Sequence, residues 1–239
     1  MLIFSVITTL YVTVLLFLRP MPESLKAKRV SFKEHFRSIK MSLFFGVLIL
    51  VIFLMTSQFA FVRTDENILK ILALNNVHSF TSLWWIQLFT HQFVHVNLLH
   101  VATNLTGLGL ACVYERRVGS KRFVMVLLVS SMASTLSIFF YTKPIFVTGI
   151  SGGIFGLAAA YFTDNNTLTT KEWLGAIAMF IVLIVMFSLA DIAKTKNTSL
   201  DFSIDYLGHA IGAVSAIVYC RLRRVKRSCY ECIRIKGTG

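Results

Sequence analysis

Seven long apolar runs interrupt this chain, and they leave its backbone one way to fold. They lie at Leu2 to Leu18, Met41 to Val62, Asn97 to Tyr114, Phe123 to Tyr141, Ser151 to Thr163, Leu174 to Ala190 and Ile204 to Cys220. Most approach the ~20 residues that a helix needs to cross a bilayer, although the first falls somewhat short and the fifth more so. A main chain in hydrocarbon finds no water to bond, so each run must satisfy its own N–H and C=O groups as a helix. Composition agrees, with 56% of the 239 residues hydrophobic and 15% charged. The mean hydropathy is +0.71. The expected fold is all-α, in a polytopic membrane protein.

The formal charge of +13 follows from topology rather than from a polyanionic partner. Basic residues cluster between the apolar runs, and no aromatic-basic module for nucleic acid is visible. When the loops are assigned alternately to two sides, 19 of the 24 Lys and Arg fall on one of them. By the positive-inside rule that side is cytoplasmic, which puts the amino terminus and the 63–96 loop outside. The loop's Ser82-Leu83-Trp84-Trp85 stretch and Phe89 suit the membrane interface, with Trp84 and Trp85 as anchors. Basic residues follow the first run and none precedes it, the pattern of an N-out anchor rather than a cleaved signal peptide. The stretch Arg19 to Lys40 reads as a cytoplasmic linker drawn to anionic lipid.

All four cysteines, Cys112, Cys220, Cys229 and Cys232, then lie at or near the cytoplasmic side, where structural disulfides do not persist. Cys229-Tyr230-Glu231-Cys232 has the spacing of half a zinc site, but no second pair or nearby histidine completes it. Neither a metal nor an organic cofactor is expected.

Polar residues inside the apolar runs are costly unless they face a cavity or a partner, and their depths converge. His100 and Asn104 lie in the first turns of an inward-running segment, Ser151 starts another, and His209 lies about 7 Å below the start of a third, at ~1.5 Å per residue. All four fall in the outer half of the membrane, as one shared, water-accessible cavity requires. Gly152, Gly156 and Ala160 recur every four residues, as do Gly208, Gly212 and Ala216, and such ridges let helices pack closely in lipid. His100 and Asn104, spaced i, i+4, share a helical face. Their N–H groups have the properties needed to hold the oxygen of a tetrahedral intermediate. The Ser151 N–H, at a helix start flanked by Gly149 and Gly152, offers a third donor.

Together these residues resemble the rhomboid family of intramembrane serine proteases. His100-Val101-Ala102-Thr103-Asn104 is similar to the family's HxxxN motif, Gly149-Ile150-Ser151-Gly152 to its GxSG motif, and His209 to its final-helix histidine. Glu115-Arg116-Arg117 resembles the acidic-basic turn after the HxxxN helix. The resemblance implies a six-helix core over 41–220, with 1–40 as an additional anchor segment and linker and 221–239 as a basic tail. It implies Ser151 as nucleophile, His209 as general base, and His100, Asn104 and the Ser151 N–H as the oxyanion hole. It also implies transmembrane protein substrates, a lipid environment, and a bacterial cell membrane with the site opening outward. Asp205, four residues before His209, reads as a structural carboxylate, since the family uses a Ser-His dyad. Phe155 stands where the family commonly has a tyrosine stacked near the histidine, and Gln87 where an arginine anchors the first loop. His91 and His95 read as supports of that loop, and His35 and His78 carry no visible role.

Two other classes compete. A catalytically inactive, client-binding relative of these proteases would not need the Ser-His pair. A small transporter would show duplicated halves with broken helices, and no such repeat is visible.

Overall fold

The computed structural model describes residues 2–17, 19–20, 30–77, 81–164 and 204–223, with isolated positions between 170 and 185. His78, Cys229, Cys232, most of the 174–190 run and the tail beyond 223 lie outside the described residues.

The first three helices form a corner around buried polar caps. Helix α1 (Leu2–Phe17) lies on α3 (Lys40–Thr56). The Tyr11 ring sits where a Cβ on Gly46 would overlap it, and the Tyr11 hydroxyl donates to Ser42 O at 3.0 Å. The short α2 (Phe32–Ser38) starts with a capping box in which Ser31 and Glu34 satisfy each other's backbone N–H. It meets α3 at a 70° bend. His35 is fully buried, and its ring Nε2 donates to Leu15 O at 2.8 Å near the carboxyl end of α1. The first turn of α3 is capped from α6 (Leu98–Val118), where buried Glu115 accepts from Met41 N, Ser42 N and Ser42 Oγ at 2.9, 2.8 and 2.7 Å. A carboxylate there meets both the unpaired N–H groups and the positive end of the helix dipole.

Between α3 and α6 the chain forms α4 (Glu66–Leu72), β1 (Leu74–Asn75) and α5 (Ser82–Thr90). Beyond α6 come α7 (Ser120–Ser134), a 3-10 helix (Thr135–Phe140), β2 (Phe146–Val147), α8 (Ser151–Thr163) and α9 (Tyr206–Leu222). The helix tightens after Ser134 where hydroxyls bond back along it, Ser134 Oγ to Ser131 O and Thr135 Oγ1 to Met132 O, both at 2.7 Å. Strand β2 pairs antiparallel with β1, Leu74 opposite Val147, and so ties the loop between α3 and α6 to the segment leading into α8.

Helix α8 is held between α7 and α9 at close range. A Cβ on Gly152, Gly153 or Gly156 would overlap the side chains of Ser134, Ser131 or Ser130 on α7, and one on Gly212 would overlap the main chain of Gly152. The two small-residue ridges therefore meet, as their spacing predicts. The serine face of α7 against them has no such signature in the sequence.

Six of the seven expected segments coincide with α1, α3, α6, α7 with its 3-10 turn, α8 and α9, while their ends move. Helix α3 stops at Thr56 rather than Val62, because Gln58, Phe59 and Phe61 adopt positive φ in a turn closed by Phe61 N donating to Ser57 Oγ. Among the described residues, Ser120–Phe140 is the one continuous helix long and apolar enough to cross a membrane, and the bent pair Phe32–Ser38 and Lys40–Thr56 makes a second if taken as one span. Trp85 is 55% exposed, as an interfacial residue would be, but Trp84 is not the anchor expected. It is buried with Leu74, Ile138 and Ile145, one helical position away on the inward face of α5.

Candidate active site

Ser151 and His209 are in contact: His209 Nε2 lies 2.8 Å from Ser151 Oγ. Ser151 is the first residue of α8 and His209 lies in the first turn of α9, so the ridge-to-ridge approach of these helices brings the two together. Phe155, one turn along α8 from Ser151, stacks on the imidazole with centroids 4.4 Å apart and planes 13° apart. A phenyl ring thus keeps the stacking geometry without a hydroxyl.

Asp205 does not take the place of a triad acid. Its Oδ1 accepts from Gly208 N at 2.7 Å and Tyr141 OH at 2.8 Å, and its Oδ2 accepts from Ser137. It caps α9 and joins it to the 3-10 turn, the structural role its sequence position suggests.

The second motif meets the first at Gly149, whose φ is +94°. A Cβ there would lie 2.8 Å from His100 Nε2 and 3.5 Å from Asn104 Nδ2. Glycine therefore serves twice, in a backbone conformation that side chains disfavour and in leaving room for the two side chains that crowd its Cα. Asn104 Nδ2 also donates to His100 O at 2.9 Å, which fixes the amide and leaves its second hydrogen available. The His100 ring rests edge-on against His95, 4.9 Å between centroids, and His95 O accepts from Thr64 Oγ1 at 2.6 Å. His95 thus supports His100 from the loop. At the start of α8, the Ser151 N–H lies among the amides without a partner inside the helix.

The loop between α3 and α6 is anchored by residues whose importance the sequence conceals. Gln87 is buried; its amide nitrogen donates to Ile71 O at 3.1 Å and its oxygen accepts from Asn75 Nδ2 at 3.1 Å. It ties α5 to the end of α4 and to β1, so a neutral residue does the anchoring that its substitution for arginine put in question. The His91 ring Nδ1 donates to Gln87 O at 2.6 Å, and His91 O accepts from Gly149 N at 2.7 Å. Burial lowers the His91 imidazole to about 4, so it is neutral at pH 7 and holds the serine loop through its main chain. No local pattern marks these contacts, because each joins segments far apart in the chain.

A cleft of about 450 Å³ opens onto this assembly, bordered by Thr148, Gly149, Ser151, Gly208 and His209 among others. Among the described residues no cluster of His, Cys, Asp or Glu is arranged to hold a metal ion.

The rhomboid domain model matches residues 82–225, more than half of the chain. The chain belongs to the rhomboid family. Comparison with curated proteins gave no match. As a rhomboid it is an integral membrane protein, in keeping with its apolar helices. The matched region begins at α5 and contains both members of the Ser151–His209 contact, along with His100 and Asn104.

Proposed function

We propose that this rhomboid-family chain is an intramembrane serine endopeptidase that cleaves transmembrane or membrane-adjacent segments of other proteins. The observation that carries the reading is the 2.8 Å contact between His209 Nε2 and Ser151 Oγ. In the first step His209 Nε2 takes the hydroxyl proton while Ser151 Oγ attacks the scissile carbonyl carbon. The developing oxyanion is held by His100 Nε2, Asn104 Nδ2 and the Ser151 N–H. The proton then passes to the leaving amine, and water entering through the cleft hydrolyses the acyl-enzyme. The chemistry asks for neither metal nor organic cofactor.

In this reading the core spans 41–220 as six membrane helices, preceded by one additional segment within 1–40 and followed by a basic tail at 221–239. The protein is multi-pass in a bacterial cell membrane, with lipid around it and the site open to the outer face. A client-binding rhomboid would have no use for the Ser-His contact, and one experiment separates the two readings. Labelling by a serine-reactive fluorophosphonate, together with cleavage of a model transmembrane substrate, should occur in the parent and vanish in both Ser151→Ala and His209→Ala. Cleavage retained in either variant sinks the mechanism, and a parent that neither labels nor cleaves leaves client binding as the function.

A further inference from the structure

Helix α1 lies outside the residues that the family model matches, and its amino end touches a strained turn at the carboxyl end of α3. The Phe4 ring stands edge-on to Phe61, centroids 6.0 Å apart and planes at 74°, and Phe61 in turn meets Phe53 of α3 at 5.1 Å and 73°. Phe61 is buried. Gln58, Phe59 and Phe61 have φ of 51°, 64° and 56°, a conformation that side chains disfavour. Such a turn persists only where its surroundings fix it, and Phe61 is fixed between Phe53 and Phe4.

From this turn a set of bonds leads to His100. Just beyond it, Val62 O accepts from Leu98 N and Thr64 N donates to Val96 O, both at 2.9 Å, with Arg63 and Asn97 bridged between them. Thr64 Oγ1 donates to His95 O at 2.6 Å. The segment so held, 95–98, meets His100 twice. The His95 ring rests edge-on against the His100 ring, and Asn97, the N-cap of α6, accepts from His100 N through its Oδ1 at 2.9 Å. The body of α1 also reaches the same helix. Phe4, Ile7 and Tyr11 pack on the apolar cluster that holds Val101 and Leu105, the residues that directly follow His100 and Asn104. A donor stabilises a transition state only when its support holds it within about half an ångström of the productive place.

We infer that α1 is a positioning element for the proposed reaction, with Phe4 and Phe61 as positioning residues that set where His100 stands through segments 62–64 and 95–98. The inference rests on His100 being an oxyanion donor of the proposed protease. It gives the additional segment a part in rate as well as in anchoring.

Kinetics of truncated Phe4 test this, since Phe4 and His100 stand on different helices. Phe4→Ala should lower kcat per folded molecule by about fivefold, well short of the loss of a whole donor, with KM little changed. Phe4→Leu should restore most of it. Phe4→Val, a milder truncation for use should the alanine variant not fold, should show a smaller loss of the same kind. In a His100→Ala background these truncations should lower kcat no further, because the donor that they displace is gone. Thr64→Val, which removes the bond to His95 O, should act in the same direction with the same dependence on His100. The NMR signal of a carbon-13-labelled His100 ring, identified by its loss in His100→Ala, should shift or broaden in the Phe4 truncations and in Thr64→Val. The inference is overturned by an unchanged kcat per folded molecule, by a change confined to KM, by an equal fold-loss with and without His100, or by a His100 signal unmoved in the Phe4 truncations. A parent that does not cleave removes the protease reading, while the His100 signal still decides whether α1 sets the place of that ring.

Discussion

The two ends of α8 are built to opposite rules. At its carboxyl end Asp164 accepts from Arg122 Nε at 3.0 Å, from an Arg122 terminal nitrogen at 2.9 Å and from Tyr114 OH at 2.7 Å. The same guanidinium lies 4.7 Å over the Tyr219 ring, so one partly buried ion pair ties together α6, α7, α8 and α9. At the amino end, Gly149 adopts positive φ, the Thr148 hydroxyl lacks a partner among the described residues, and the His100 and Asn104 side chains crowd against Gly149. One end holds the helices together, and under the proposed mechanism the other keeps polar groups in readiness for the reaction. Strain and unsatisfied groups persist only where the surrounding structure over-determines them.

That contrast sets out what should break and what should not. The largest effect belongs to the amino end: Ser151→Ala or His209→Ala should lower cleavage by at least ~10³-fold while leaving the melting temperature within a few degrees of the parent. A large drop in melting temperature would mean that the dyad is also a structural joint. Next comes Asp164→Asn, which leaves the partly buried Arg122 without its counter-charge and should cost about 2 kcal/mol of stability, read by thermal unfolding in detergent. Fluorophosphonate labelling per folded molecule should hold steady in that variant, and a parallel loss of labelling would show that the two ends are coupled. Under the proposed mechanism Asn104→Ala removes one oxyanion donor, and it should reduce kcat by about 10²-fold with KM little changed. Equal losses in substrate affinity would move Asn104 from transition-state stabilisation to binding.

The smallest effect is a pH dependence. His91 resists protonation in the fold down to about pH 4, whereas the unfolded chain takes up the proton near 6.5. Below that value the unfolded state binds more protons, so the stability from this group is complete above pH 6.5 and is lost as the pH falls toward 4. His91→Asn should flatten this part of the stability curve relative to the parent, and an unchanged slope would assign the dependence to another group.

Much of the site is legible in the order of residues along the chain because each motif is local. HxxxN places two donors on one helical face, GxSG puts a serine at a helix start, and glycine ridges on two segments point to close packing, all within one or two helical turns. Trp84 and Trp85 show where such reasoning stops: adjacent residues of the same type, one buried and one exposed, distinguished by which face of a short helix meets Ile138 and Ile145. His35 shows it again, since a histidine without a visible role proves to cap α1 through Leu15 O.

The sequence by itself determined most of the helices, the family and the motif residues near the starts of three segments, because hydrophobic period and motif spacing are properties of neighbours along the chain. Only the tertiary structure decided that Gln87 anchors the loop without an arginine and that His91 holds Gly149 by a carbonyl. It likewise decided that both Asp205 oxygens are engaged and that Glu115 caps a helix far away in the chain. Each of these is a buried polar group finding a partner on another element. Burial makes such partners obligatory, but it does not write their identity into local sequence.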